Sequence, residues 1–240
     1  SGPAVQALNE GARLAGALHC TGEGSLSPHH RQGGDLIFQI GTAYFGCRDE
    51  EGRFDLERLK EVVASAPVKA IEVKLSQGAK PGLGGMLPAA KISDEIAQTR
   101  GIAQGHDCAS PSRHTEFDDV DSLLDFVERV ADETGLPVGI KSAVGDMGFW
   151  QELVDTMAAD HSRGVDFVVI DGGEGGTGAA PLVFSDAVAL PFRLAFTRVY
   201  SVFARAASPT GSPSSGPASS ACPRTRSSPS PSAATWCTCP

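Results

Sequence analysis

Among its six cysteines the sequence has no C-x-x-C pair, so the spacing that marks many zinc and redox sites is missing. There is no apolar run of about 18 residues, and so no candidate transmembrane helix. The chain begins at Ser1 rather than Met and shows no basic segment leading into an apolar one. No signal peptide is therefore expected, and upstream sequence is expected to be absent. Basic residues are outnumbered, with 20 Lys and Arg against 29 Asp and Glu, giving a formal net charge of −9. Such a chain is not expected to bind nucleic acid, and a small anion would need local cations or backbone N–H groups. Cys20, Cys47 and Cys108 read as reduced thiols of a cytoplasmic protein.

The strongest local absence lies in residues 206–240, which contain no Leu, Ile, Val, Phe, Asp, Glu or Lys. Ten Ser and seven Pro take their place. A segment of this kind cannot bury enough apolar surface to offset its conformational entropy, and a disordered tail is expected. The composition also matches GC-rich coding DNA read out of frame. A one-base shift after Arg205 permits a strand, a Gly-rich turn, an apolar helix and a further strand. The division expected is thus a folded part over 1–205 and an out-of-frame tail over 206–240. Cys222, Cys237 and Cys239 are then neither metal ligands nor disulfide partners.

What is present before residue 206 alternates between two periodicities. Helical spacing covers Ala4–Leu14, Leu56–Ala66, Asp94–Arg100, Val120–Thr134, Phe149–Asp160 and Phe192–Ala204. In the second of these Leu56, Leu59, Val62 and Val63 share a face, and in the fourth Leu123, Leu124, Val127 and Val130 do so. Extended segments are expected at Gly16–His19, Asp35–Ile40, Val68–Leu75, Pro137–Lys141 and Val165–Ile170. The last is continuously apolar, as befits a strand covered on both faces. Strands followed in turn by helices predict an α/β fold with a parallel sheet.

Several of these strands run into polar, Gly-rich segments: Thr21–Gly24, Ser76–Gly85 and Asp171–Gly178, while Lys141 ends an apolar strand. In a parallel barrel such ends converge on one face, where active sites are built. Glycines there let backbone N–H groups approach an anionic ligand. A lysine closing an apolar strand must face a polar cavity or a partner. Plainer readings exist for the others. Lys80 could be a loop lysine, Arg100 could pair with Asp94 or Glu95, and Glu23 could be surface. His29, His30 and His106 have no metal-ligand spacing and read as structural or surface groups.

The run IEVKLSQGAKPGLGGMLPAAKISDEIAQTRG, followed in order by SPSRHTEF, VGIK and IDGGEGGTGAAPL, resembles the FMN-binding synthase domain of glutamate synthases. The resemblance covers roughly Gly11 to Val202 and is closest to stand-alone, single-domain members. It implies a (β/α)8 TIM barrel, incomplete at both ends of this chain. It also implies an oxidoreductase that binds FMN and reduces 2-iminoglutarate, formed from 2-oxoglutarate and ammonia, to L-glutamate. Electrons would come from ferredoxin or a pyridine-nucleotide partner, and ammonia from solution or from glutamine through a partner. The family also carries an iron–sulfur cluster, whose cysteines have no counterpart here.

Residue roles follow from the same resemblance. Lys80 and Arg100 would each hold a substrate carboxylate. Lys141 would stand at the edge of the flavin and balance its negative charge. Glu23 would handle a proton near the imino carbon, and Thr21 and Gly22 beside it would contact the cofactor. Gln77 would touch the flavin ring, while Asp171, Gly172, Gly173, Gly175, Gly176 and Thr177 would form a loop around FMN and substrate. Met86 stands where the family usually has Gln or His, Cys20 where it has Asn, and Ser25 where it has Gly. Those departures bear on the substrate more than on FMN. The alternatives are an FMN barrel acting on another small acid, an inactive truncated remnant, and a phosphate-binding regulatory barrel. The last would leave Lys141 and the AKPG segment without a role. With strands missing at both ends, the chain as written is expected to bind FMN poorly and to be prone to aggregation.

Overall fold

The structure, a computed structural model, describes residues 2–175, 180–185 and 187–206. The chain falls into two compact units. The first comprises residues up to Leu75 together with Leu83–Glu116 and Arg129–Val138. The second comprises Ser76–Gly82, Phe117–Glu128 and the described residues from Gly139 onward.

In the first unit, α1 (Gly2–Ala15) precedes β1 (His19–Cys20), β2 (Leu36–Ile40), α2 (Leu56–Ala64) and β3 (Val68–Lys74). The three strands are parallel in the order β1-β2-β3, with His19 opposite Leu36 and Gln39 opposite Glu72. All five side chains of β2 are buried, as expected of a strand covered on both faces. Asp55 caps α2 by accepting the Arg58 N–H, satisfying one of the free donors of the first turn. β4 (Gly85–Leu87) and β5 (Cys108–Ser110) form a separate antiparallel ribbon. Between them lies α3 (Asp94–Arg100), capped at its start by the Ser93 hydroxyl and ended by Gly101 at φ +66°. A left-handed residue at that position suits glycine, and it fixes Arg100 in the last turn.

α4 (Val120–Thr134) is divided between the units, and its Leu123, Leu124, Val127 and Val130 are buried. In the second unit, β6 (Val138–Ala143), α5 (Gly148–Ala159), β7 (Val168–Asp171) and α6 (Phe192–Ala206) follow. β6 and β7 are parallel, with Lys141 opposite Val169 and Ala143 opposite Asp171. Trp150, Leu153 and Val154 form the buried side of α5.

Each unit thus contains a parallel strand pair joined through a helix, β2-α2-β3 and β6-α5-β7. These are the β/α units from which the expected barrel would be assembled. The six expected helices are present, with their ends displaced by at most two residues. The first strand is displaced toward His19–Cys20, because the Ala17 N–H still bonds back to the Ala12 carbonyl and extends the helical exit of α1. The last strand begins at Val168 rather than Val165. The β4–β5 ribbon was not foreseen, since three-residue strands carry too few alternations to register as a pattern. No described helix is long and apolar enough to cross a membrane. The expected tail lies outside the described residues, apart from Ala206, which ends α6.

Candidate active site

In the first unit, the residues after β1 are set by the β1–β2 ladder. The Thr21 N–H donates to the Ile37 carbonyl at 3.0 Å. Its hydroxyl accepts the Gln39 N–H at 3.1 Å and donates to the Gly22 carbonyl at 2.9 Å. Thr21 therefore pins the turn. Glu23, at the end of that turn, lies 3.0 Å from the Lys74 ammonium. Lys74 ends β3 and is only 11% exposed, whereas Glu23 is 44% exposed. This is a carboxylate held by a shielded cation with its own outer side still open.

Arg100 belongs to the same neighbourhood. Its guanidinium stacks over the Phe45 ring at 4.8 Å, and a Cβ placed on Gly24 would lie 3.5 Å from Nη2. The helix-end pairings considered for it are not formed, for Asp94 accepts from Gln104 and Glu95 binds His29. Arg100 thus stands beside the Thr21–Gly24 turn with its fork uncommitted to those acids. Met86 lies in β4, opposite Ala109, and is 65% exposed.

In the second unit, strand alternation puts Lys141 and Asp171 on one face of the β6–β7 pair. Their charged ends are 3.9 Å apart, and the side chains are 14% and 18% exposed. The other Asp171 oxygen accepts the Gly78 N–H at 2.9 Å. The Ser76 hydroxyl contacts Ser142 at 3.0 Å and accepts the Ala143 N–H at 3.0 Å. The turn carrying Gln77 and Lys80, both half-buried, is thereby fastened to the ends of β6 and β7. The backbones meet so closely that a Cβ on Gly78 would fall 1.6 Å from the Gly172 carbonyl oxygen. Gly173 is held by its N–H bond to the Leu190 carbonyl at 2.9 Å, and Glu174 caps α6 through the Phe192 N–H. Gly175 follows at φ +78°. Gly176 and Thr177 lie outside the described residues.

Three groups were not singled out from the sequence. Lys74 could have been, since it closes β3 directly after the buried Val73. Glu72, 2% exposed, accepts from the Gln39 amide and from Cys20 across the β1–β2–β3 face. His114, in the SPSRHTEF run, is buried, with Nε2 2.9 Å from the Lys74 carbonyl and Nδ1 3.2 Å from the Tyr44 hydroxyl. The carbonyl can only accept, so Nε2 carries the proton and Nδ1 accepts from Tyr44. Burial drives its pKa down to about 4, outweighing the Lys74 carbonyl bond that raises it. His114 is consequently neutral near neutral pH. His30, expected to be structural or surface, is buried and closes the Ser27 turn through Nδ1.

Among the described residues no group of three or more His, Cys, Asp or Glu is arranged to hold a metal ion. Cys47 is fully buried, and burial pushes its thiol pKa far up. Cys20 and Cys108 are half-buried and form no disulfide.

Comparison with known proteins identifies the family. The conserved region in glutamate synthase matches residues 1–207. The glutamate synthase large subunit-like protein YerD of Bacillus subtilis (strain 168) is 42% identical over 194 residues, which is 80% of this chain and 37% of that protein. An archaeal-type glutamate synthase (NADPH) of Thermotoga maritima is 34% identical over 196 residues, 80% of this chain and 35% of that protein. An archaeal glutamate synthase (NADPH) of Methanocaldococcus jannaschii is 36% identical over 188 residues, 77% of this chain and 33% of that protein. The chain therefore spans about a third of the length of these relatives. The match takes in 207 of 240 residues, and the chain belongs to the glutamate synthase family.

Proposed function

We propose that this chain carries the FMN-binding part of a glutamate synthase-type oxidoreductase, which reduces 2-iminoglutarate, formed from 2-oxoglutarate and ammonia, to L-glutamate. The observation that carries this reading is the shielded Lys141. It lies within β6, which runs two residues past the strand end expected at Lys141, and its nearest acid is 3.9 Å away and also engaged with the Gly78 N–H. A cation so placed is only partly neutralised, and it suits a ligand that gains negative charge. The residues present therefore fit FMN. When bound, FMN supplies the hydride, and the protein orients it and tunes its electronics.

The chain's own residues then divide the work. Lys141 balances the charge of the reduced ring. Gln77 would meet the ring, and the backbone of Gly172, Gly173 and Gly175 would lie beside it. Lys80 and Arg100 each take one carboxylate of the substrate, a role for which the planar fork of Arg100 is well shaped. Glu23, oriented by Lys74, holds or delivers a proton at the imino nitrogen. The NADPH in the names of the archaeal relatives favours a pyridine nucleotide as the ultimate electron source. The reaction is set in the cytoplasm, and a complete eight-stranded barrel belongs to the same proposal.

A second reading, an FMN enzyme for a different small acid, is favoured by one observation. Met86 offers an exposed thioether where a hydrogen-bonding side chain is usual in the family. A missing hydrogen bond to a buried substrate oxygen is worth about 1–3 kcal/mol, enough to change substrate preference. Turnover of other oxo acids in preference to 2-oxoglutarate would favour it.

Residues 206–240 are proposed to be an out-of-frame continuation, and sequencing the source DNA across the codons for Phe203 to Ser212 tests this. An extra base there supports the proposal, and confirmation of the present frame contradicts it. Quenching of FMN fluorescence tests the functional reading, on the 240-residue chain and on a form carrying the alternative-frame continuation. Saturable quenching, tighter in the second form, is expected. Its absence from both contradicts the reading.

A further inference from the structure

The first unit contains a pocket of about 330 Å³ that includes none of the residues assigned above. Three arginines line it: Arg31, Arg48 and Arg58. Arg31 donates to the backbone carbonyl and hydroxyl of Ser65, both uncharged acceptors. Arg58 faces Asp55 at 3.6 Å. Arg48 donates to the Ala43 carbonyl at 3.2 Å, and its Nε is buried without a hydrogen-bond partner. Among the described residues no carboxylate lies within ion-pair distance of Arg31 or Arg48. The one acid in the lining, Glu95, binds His29 at 2.9 Å.

In a chain of net charge −9 this is a local reversal of sign. Arg31 and Arg48 meet only uncharged acceptors, which leaves their charge available to an anionic oxygen entering the pocket. We propose that this pocket binds a phosphate-bearing small molecule. One carboxylate occupies one guanidinium fork, whereas a phosphate monoester concentrates about −1.5 to −2 charges and three acceptor oxygens in one group. Several arginines around a single pocket match the second pattern. The volume lies at the lower end of the range for small-molecule sites, and it suits a phosphate attached to a small body rather than a dinucleotide.

The test uses inorganic phosphate, titrated into the 240-residue chain by calorimetry at constant ionic strength, with and without saturating FMN. Saturable binding is expected, weakened about tenfold in Arg48→Met and in Arg31→Gln. It should be unaffected by FMN, and succinate should bind more weakly than phosphate. Arg31 is exposed, so Arg31→Gln decides the matter if Arg48→Met does not fold. Absence of saturable binding overturns the proposal. So does unchanged affinity in Arg31→Gln, a preference for succinate, or competition by FMN, which would assign the phosphate to the flavin site. Failure of FMN to bind, with phosphate binding intact, would contradict only the functional reading above.

Discussion

The Lys74 ammonium stands 3.0 Å from the Glu23 carboxylate, and the backbone carbonyl of the same lysine is 2.9 Å from His114 Nε2. Lys74 therefore links the proposed proton-handling group to a buried, neutral imidazole. Glu23 can exchange a proton only if its carboxylate stays oriented, and Lys74 is the group that orients it. Glu23→Gln is expected to lower kcat about 100-fold, within the usual range for loss of a general acid or base. Lys74→Met is expected to lower kcat as well, while FMN affinity in both variants stays near that of the parent. Steady-state kinetics paired with FMN titration separates the two effects. An equal loss of FMN affinity would place Glu23 and Lys74 in cofactor binding instead.

Lys141 is proposed to meet the flavin. Lys141→Met removes the cation and leaves Asp171 held only by the Gly78 N–H. A charge-assisted contact is worth about 1.5–3 kcal/mol, so FMN affinity should fall roughly 10- to 100-fold. Fluorescence titration reads this directly. An unchanged affinity would remove Lys141 from the cofactor site.

Gly78 tests the close approach of two turns. An added Cβ would lie 1.6 Å from the Gly172 carbonyl oxygen and 2.4 Å from its carbon, so backbone must move. Gly78→Ala is expected to destabilise the fold by about 1–3 kcal/mol, as overpacking does elsewhere. It should also weaken FMN binding, because both turns are proposed to meet it. Urea unfolding measures the first effect, and Gly82→Ala, where a Cβ would meet nothing within 4 Å, gauges the cost of its φ of +70° alone.

His114 predicts a pH dependence of stability. The folded state binds its proton near pH 4, while the unfolded chain does so near the ordinary 6.5. Between those values the unfolded chain holds more protons, so stability falls as the pH drops from 6.5 toward 4. The contribution is fully present above 6.5 and is on the order of 3 kcal/mol. Burial lowers the pKa of His19 and His30 too, and both act in the same direction. Urea midpoints measured against pH should show a shallower slope in His114→Gln. An identical slope would mean that His114 is not the group responsible.

Much of this was legible in the residue order. Leu123, Leu124, Val127 and Val130 repeat at helical spacing, and all four are buried in α4. The charge at Lys141 on an apolar strand required a partner, and Asp171 stands on the same face. Lys74 is harder to read, because the apolar Leu75 follows it and the alternation of β3 gives no strand end there. The role of His114 was not legible at all. Its partners are a phenol 70 positions and a carbonyl 40 positions away, and only the fold brings them together. Arg100 was readable as a fork near a helix end, but not its stacking on Phe45, which depends on the turn at Tyr44–Gly46.

The central claim is the reaction itself. It is tested by supplying isotopically labelled ammonia, 2-oxoglutarate, FMN and a chemical reductant to the form of the protein that binds FMN, and analysing the products by mass spectrometry. Labelled L-glutamate, formed only when FMN and reductant are both present and greatly reduced in Glu23→Gln, is the predicted result. Saturating FMN binding with no labelled glutamate would contradict the account.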